Sequence, residues 1–481
     1  MASIKEQTVN SAKWALIDKG ANQGVNFLFS ILMARILMPE DFGVLAIITV
    51  VVSITSLFID CGFSSALIRK PRPSELDFST VFYFNIIIAL LCYVLIFIAS
   101  PYFASFFNMP ILKDALRVQS LSLIVQSFAA VQIAQLTINL DFRTLAIQSV
   151  IASIISCCIA ICMAFLELGI WALVAQTLLF AIIYTTLIII NQRWRPSTGF
   201  SKESFKELGS YGSKLLLSSL IHNLYHELTS ILIGKFYTAK DLGYFKRGSD
   251  FANLPTMTIN GVVTKVTFPI LSKIQEDTSR LVSVYRKYIK TSSMIIFIFC
   301  ISLSALAKPL VLIVLGDKWA QSIIYLQIFS FSCMFNHIGA INLNLLKVVG
   351  RSDLYLRLEI IKKTISVVMI LIAVNYGVLA ICISMFIYNQ ISIIINTYYT
   401  GKLFGLGYWA QVKDFAKYLI AALLSASPAY LLTFSKIANI LVLFLGLFMS
   451  FSIYYILLRK DSLAIDTLKM LNEQIKNTIC R

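Results

Sequence analysis

Asp18, Asn22 and Asn26 recur at i, i+4 and i+8, with Lys19 and Gln23 beside them. On a helix these positions share one face, so the spacing draws a polar stripe along an apolar rod. A carboxylate, an ammonium and amides on one face suit binding of a polar ligand or carriage of a coupled ion. Comparable sets follow. One runs through Ser219, His222, Asn223, His226, Glu227 and Ser230, and another through Arg247, Asp250, Asn260, Thr264 and Lys265. Gln119, Ser122, Gln126, Gln132 and Gln135 form a fourth, and Gln327, Asn336, His337, Asn342 and Asn344 a fifth. Ionisable side chains at membrane depth are expensive, so they face a partner or a wet cavity.

Several chemistries are missing. His222 and His226 have a metal-ligand spacing, but no third ligand is evident and the order is not His-Glu-x-x-His. Polar lining is therefore their expected role, and no metal or cofactor is expected. Gly401, Gly405 and Gly407 follow no strand and make no dinucleotide fingerprint. No phosphate-binding Gly-x-x-x-x-Gly-Lys-Ser/Thr stretch exists, which leaves ion gradients or downhill flow as the energy source. The nine cysteines contain no Cys-x-x-Cys pair, against a disulfide framework or zinc site.

The elements that must hold these stripes are membrane helices. Of 481 residues, 58% are apolar and 14% charged, with a mean hydropathy of +0.80. Soluble domains carry about 25% charged residues. Apolar runs of about 20 residues recur from residue 12 to residue 458, and fourteen spans are expected. The start does not read as a signal peptide, because Asp18, Lys19, Asn22, Gln23 and Asn26 interrupt any apolar core there.

Charge sets the orientation. With both termini cytoplasmic, the inner side holds about three times as many Lys and Arg as the outer side. Most of the net +17 is then topology and contact with anionic lipid, and nucleic acid is not an expected partner.

The chain also repeats itself. Ile31–Gly43 overlies Ile231–Gly243 without a gap, matching Arg35 with Lys235, Asp41 with Asp241 and Gly43 with Gly243. A second echo aligns Leu168–Ala172 with Tyr376–Ala380. The expected architecture is an all-α integral membrane protein built from parallel six-helix bundles. The lobes are 1–191 and 211–400, joined by a cytoplasmic linker, 192–210. Accessory helices follow in 401–458 and a cytoplasmic tail in 459–481.

Two similar bundles without a soluble domain make a transporter's layout, with access alternating around a site between the halves. Asp60, alone in an apolar span, and Glu227, beside His226, are candidates for ion coupling, as are Asp18 and Asp250. Arg247 and Asp250 also fit a plain i, i+3 ion pair. Arg35 and Lys235 read as anchors at the outer interface.

Particular stretches then become recognisable: Leu32–Gly43, Gly169–Gln176, Ile233–Lys235, Leu242–Arg247, Phe268–Ser272, Lys308–Pro309 and Gly316–Trp319. In these the chain resembles bacterial polysaccharide flippases of the Wzx type, especially the WzxC-like lipopolysaccharide-biosynthesis branch. They belong to the multidrug/oligosaccharidyl-lipid/polysaccharide exporter superfamily. The resemblance implies two lobes in a V and export of a glycan on undecaprenyl diphosphate across the bacterial inner membrane. It implies membrane lipids as partners, with polysaccharide polymerase and glycosyltransferase machinery alongside. Lys19 and Arg247, then Lys265, are the candidates for the diphosphate. Asn22, Asn26, Gln126, His222 and His226 would line the glycan's path. Family members often carry an Asp shortly before the Ile-Gly-Lys stretch, where this chain has His226-Glu227.

Two other classes are weighed. A cation-coupled drug exporter on this scaffold predicts twelve spans and a more acidic pocket. A membrane glycan polymerase or ligase needs a large outer catalytic loop, and the loops near 101–114 and 235–243 are short.

Overall fold

The computed structural model describes the backbone of residues 4–197 and 199–465. Side chains are described at Trp14, from 17 to 254 except 198, at 256, and from 267 to 465. Among the described residues every regular element is helical. The first nine helices are α1 (Ile4–Ile36), α2 (Pro39–Asp60), α3 (Phe63–Arg69), α4 (Glu75–Phe106), α5 (Leu112–Gln119), α6 (Leu121–Ser127), α7 (Ala130–Ile138), α8 (Phe142–Phe165) and α9 (Ile170–Gln192). Next come α10 (Lys202–Phe236), α11 (Ala239–Lys273), α12 (Thr278–Ala305), α13 (Ala307–Val314), α14 (Ser322–Cys333) and α15 (Asn336–Val348). The last four are α16 (Ser352–Ala373), α17 (Val378–Phe404), α18 (Tyr408–Leu432) and α19 (Asn439–Leu458).

Local chemistry explains the helix starts. Ser74 and Asp77 cap α4 reciprocally: the Asp77 N–H donates to Ser74 Oγ (3.2 Å) and the Ser74 N–H to Asp77 Oδ2 (2.8 Å). Asp141 accepts the Thr144 N–H at the start of α8 (3.1 Å), and Asp277 accepts that of Arg280 at the start of α12 (3.0 Å). Gly169 and Gly377, equivalent in the second echo, open α9 and α17 with φ of +55° and +106°, a region that glycine enters without a Cβ clash.

Nine helical segments among the described residues are long and apolar enough to cross a membrane, or ten if the pair 112–127 and 130–138, bent by 45°, counts as one. The segments counted include 322–348 as one. α1, α10, α11 and α16 are not among them. Each is at least 22 residues long, and each carries charged side chains that lower its apolar character. The expected second span breaks at Cys61 and Gly62, both left-handed, so α3 leaves α2 there.

The helices gather into two compact units, 1–243 and 244–481. In the first unit α8 packs on α1 and α9, and α10 packs on α2, α3 and α4. The unit 1–243 thus takes in α10. In the second unit α18 packs along α12 and α19, while α17 packs on α14, α15 and α16.

One crossing inside the first unit requires glycine. A Cβ on Gly43 would lie 1.7 Å from Ala239 O, and a Cβ on Gly243 would lie 2.0 Å from Pro39 O. The contact is reciprocal, because 39 and 239, like 43 and 243, are equivalent in the repeat. Both helix starts are capped alike: Met38 N–H donates to Asp41 Oδ2 (3.1 Å), and Thr238 N–H to Asp241 Oδ2 (3.2 Å). Glu40 and Lys240, also equivalent, stand 3.9 Å apart and half exposed, so their attraction adds little.

Candidate functional site

The first unit holds a half-open pocket of about 360 Å3 in which polar side chains stand among apolar ones such as Leu45, Ile48 and Val52. Asn26 enters it from α1, Thr49 and Ser53 from α2, and Gln119, Ser122 and Gln126 from α5 and α6. Ser153 of α8 and Gln176, Thr177 and Phe180 of α9 complete the polar and aromatic wall. None of its lining residues is charged. Amides and hydroxyls both donate and accept, which suits a ligand rich in hydroxyls.

The stripe on α1 is fixed by its neighbours. Asn22 Nδ2 donates to Asp18 Oδ1 (2.6 Å) and to Ser149 Oγ (2.8 Å). Its Oδ1 accepts from Ser153 Oγ (2.8 Å). Asn26 Nδ2 donates to the Asn22 carbonyl (2.9 Å), and Thr177 Oγ1 donates to Gln119 Oε1 (2.5 Å). Gln119 is 5% exposed, so its amide is held in one orientation. The charge of Asp18 thus acts through Asn22, and amides meet the cavity.

Of the residues read from sequence, Asn26 and Gln126 line this pocket, while Asn22 stands behind it on Ser153 and Asp18 behind Asn22. Lys19 lies on the same helix, exposed and outside the lining. Asp60 ends α2, where Oδ1 accepts the Ser64 N–H (3.2 Å); its carboxylate closes the turn into α3 rather than standing mid-helix. His222 and His226 are exposed on α10, and His226 Nδ1 lies 3.0 Å from Glu227 Oε1, which is largely buried. Neither histidine lines the pocket.

Arg247 and Asp250 are in the second unit. Arg247 is 7% exposed, its guanidinium 5.7 Å from the centre of the Trp319 ring. Next to it, a Cβ on Gly248 would meet Leu326 N at 2.8 Å, which presses α11 against α14. The Lys265 side chain lies outside the described residues. Ser149, Ser153, Gln176 and Thr177 were not singled out from sequence. Hydroxyls in apolar helices usually bond their own turn's carbonyl, and their spacing alone does not say otherwise.

The second unit treats its polar residues differently. Asn342, Thr400 and Gln411 close on one another: Asn342 Nδ2 donates to Gln411 Oε1 (2.9 Å), and Thr400 Oγ1 and Gln411 Nε2 donate to Asn342 Oδ1 (2.8 and 2.9 Å). Arg286 grips the buried Asp414 with paired hydrogen bonds of 2.8 and 2.7 Å, and Lys290 adds a contact at 3.3 Å. The cavity between α12, α14, α17 and α18, about 510 Å3, is lined mostly by apolar side chains such as Ile301, Phe331, Phe386 and Leu423.

Helices of membrane-crossing length around an uncharged, hydrogen-bonding pocket define a multi-pass membrane protein able to hold a polar ligand. Similarity to known proteins narrows the class. Residues 32–324 match the family model described as "Polysaccharide biosynthesis protein", and the chain belongs to that family. It is 25% identical over 321 residues to the succinoglycan biosynthesis transport protein ExoT of Rhizobium meliloti (strain 1021), covering 66% of this chain and 65% of that protein, just under two thirds of its length. It is 24% identical over 371 residues to the lipopolysaccharide biosynthesis protein WzxC of Escherichia coli (strain K12), covering 75% and 74%. Among solved structures the fold is similar to the lipid II flippase MurJ in an inward closed conformation. The TM-score is 0.71 at 17% identity, over 92% of this chain and 99% of that one.

Proposed function

We propose that the chain moves a lipid-linked oligosaccharide, carried on undecaprenyl diphosphate, from the cytoplasmic to the outer leaflet of the bacterial inner membrane. The glycan would serve surface polysaccharide assembly. The observation that carries this reading is the uncharged amide and hydroxyl pocket inside a membrane-spanning bundle. Hydroxyl-rich glycan bonds to such groups and leaves again, because each neutral hydrogen bond nets only about 1 kcal/mol. The family's description and the names of its relatives, one a succinoglycan transport protein and one a lipopolysaccharide biosynthesis protein, support a polysaccharide substrate class.

The topology belongs to the proposal: fourteen spans with both ends cytoplasmic, twelve of them in two repeated sixes. The matched caps at 38–41 and 238–241 and the matched glycines at 169 and 377 support the repeat. Lys19 and Arg247 are proposed for the diphosphate, with Lys265 next, and Asp18, Asp60, Glu227 and Asp250 for ion coupling. Catalysis is no part of the proposal. Lys19→Ala and Arg247→Ala strains should lose surface glycan while keeping normal protein levels. Wild-type surface glycan in both strains would remove those assignments, and in a strain lacking the gene it would remove the function.

A further inference from the structure

Away from the amide-lined pocket, α8 and α9 border a second cleft of about 580 Å3. Thr144 and Gln148 stand one turn apart on α8, facing Leu187 and Asn191, one turn apart on α9. Gln148 Nε2 donates across to the Leu187 carbonyl (3.2 Å). That bond fixes the amide and leaves Gln148 Oε1, in a side chain 8% exposed, buried without a donor. Such an acceptor is costly unless something supplies a hydrogen.

The rim is cationic. Arg193 follows the last turn of α9 with φ +50°, a conformation that an arginine adopts at a cost. Among the described residues no carboxylate pairs with its guanidinium and nothing bonds the Asn191 amide. The remaining wall is apolar and open: Ile147 is 41% and Ile190 65% exposed. Thr144 is engaged as a donor, to Asp141 Oδ2 (2.7 Å), while its own lone pairs stay available.

These unmet valences specify a ligand. Arg193 needs an anion, and phosphate suits its fork of donors. Gln148 Oε1, Asn191 Oδ1 and Thr144 Oγ1 are acceptors that hydroxyl donors would satisfy. Ile147 and Ile190 lie on helices of membrane-crossing length, so the cleft opens toward hydrocarbon. A sugar nucleotide has no chain to anchor it there, and a fatty acid would leave the Gln148 oxygen unmet. We infer that this cleft docks a lipid carrying a sugar on its phosphate, and holds it at the basic end of the first unit before translocation. Glycerol-headed phospholipids share the chemistry, but a saccharide offers more hydroxyls to the three acceptors. The inference rests on the proposed function for the identity of its ligand.

The test uses the full chain in phosphatidylcholine nanodiscs and measures affinity for farnesyl diphospho-N-acetylglucosamine, farnesyl diphosphate and phosphatidylglycerol. Arg193→Ala should weaken both diphosphate probes by about tenfold, and Arg193→Lys should restore much of that loss. Gln148→Leu should weaken only the sugar-bearing probe. Each variant's melting temperature is measured alongside, so that lost binding is separated from lost folding. Unchanged affinity in Arg193→Ala overturns the inference, as does tighter binding of phosphatidylglycerol than of the sugar probe. Equal loss of both diphosphate probes in Gln148→Leu overturns the sugar assignment. A wild type that binds the sugar probe through Arg193 but never flips it supports the docking site and refutes the transport reading.

Discussion

The two units use similar residues to opposite ends. In the first, Gln119, Gln126 and Asn26 stand around open volume, and the bonds behind them, such as Thr177 to Gln119, hold them in place. In the second, Asn342, Thr400 and Gln411 spend their hydrogen bonds on one another, and Arg286 spends its charge on Asp414. The difference is α18. It supplies Gln411 and Asp414 and lies along α12, whereas among the described residues no added helix of this kind packs on α1 or α8 in the first unit. The same chemistry is a binding surface where it faces a cavity and structural glue where a further helix covers it.

Breaking the glue should therefore hurt stability, and altering the pocket should hurt transport. The largest effect is expected from Asp414→Ala. Asp414 is 4% exposed and serves two cations that are themselves partly exposed, so the loss should be about 3 kcal/mol, read as a lower melting temperature in detergent. Normal melting would mean that α18 is held by apolar packing alone. Asn342→Leu comes next, at about 2 kcal/mol, because it strands Gln411 Oε1, whose donor is Asn342 Nδ2, in the interior. If it instead impairs transport at unchanged stability, the second unit's network is a site and the contrast collapses.

The smallest effect concerns pH. Asp461, beyond α19, is opposed by burial, yet Lys417 Nζ at 2.7 Å and the Leu463 N–H at 2.9 Å hold its carboxyl below the usual range. A depressed carboxylate pKa contributes stability that is present above the unfolded value of about 3.9 and lost as pH falls through the folded one. The contribution should be under about 1 kcal/mol, since Lys417 is mostly exposed. Melting temperatures of wild type and Asp461→Asn should differ slightly at neutral pH and converge below about pH 3.9. A constant difference across that range would assign the effect to something other than this charge.

Much of this was legible beforehand, for a physical reason. An amide among apolar helices has few places to go, so Asn26 and Gln126 led to the pocket and Asn22 to the bonds behind it. Helical content followed from the length of the apolar runs. The place of Asp60 at a helix end was not legible, because the reading carried a single span past Cys61 and Gly62, where left-handed residues end α2. The 112–138 segment also hid its bend, having no proline and no glycine to mark it. Pairings such as Arg286 with Asp414, 128 positions apart, follow from the packing of α18 and not from any local pattern.

The central claim is that the first unit's uncharged pocket handles a lipid-linked glycan. The most direct measurement reconstitutes the protein in liposomes with a fluorescent polyprenyl-diphosphate sugar and follows loss of the inner-leaflet signal. Wild type should transfer the lipid well above protein-free liposomes. Gln126→Leu, at equal melting temperature, should slow transfer by about tenfold, the equivalent of roughly 1.4 kcal/mol. Transfer by the wild type no faster than in empty liposomes, or at the same rate in Gln126→Leu, would contradict the account.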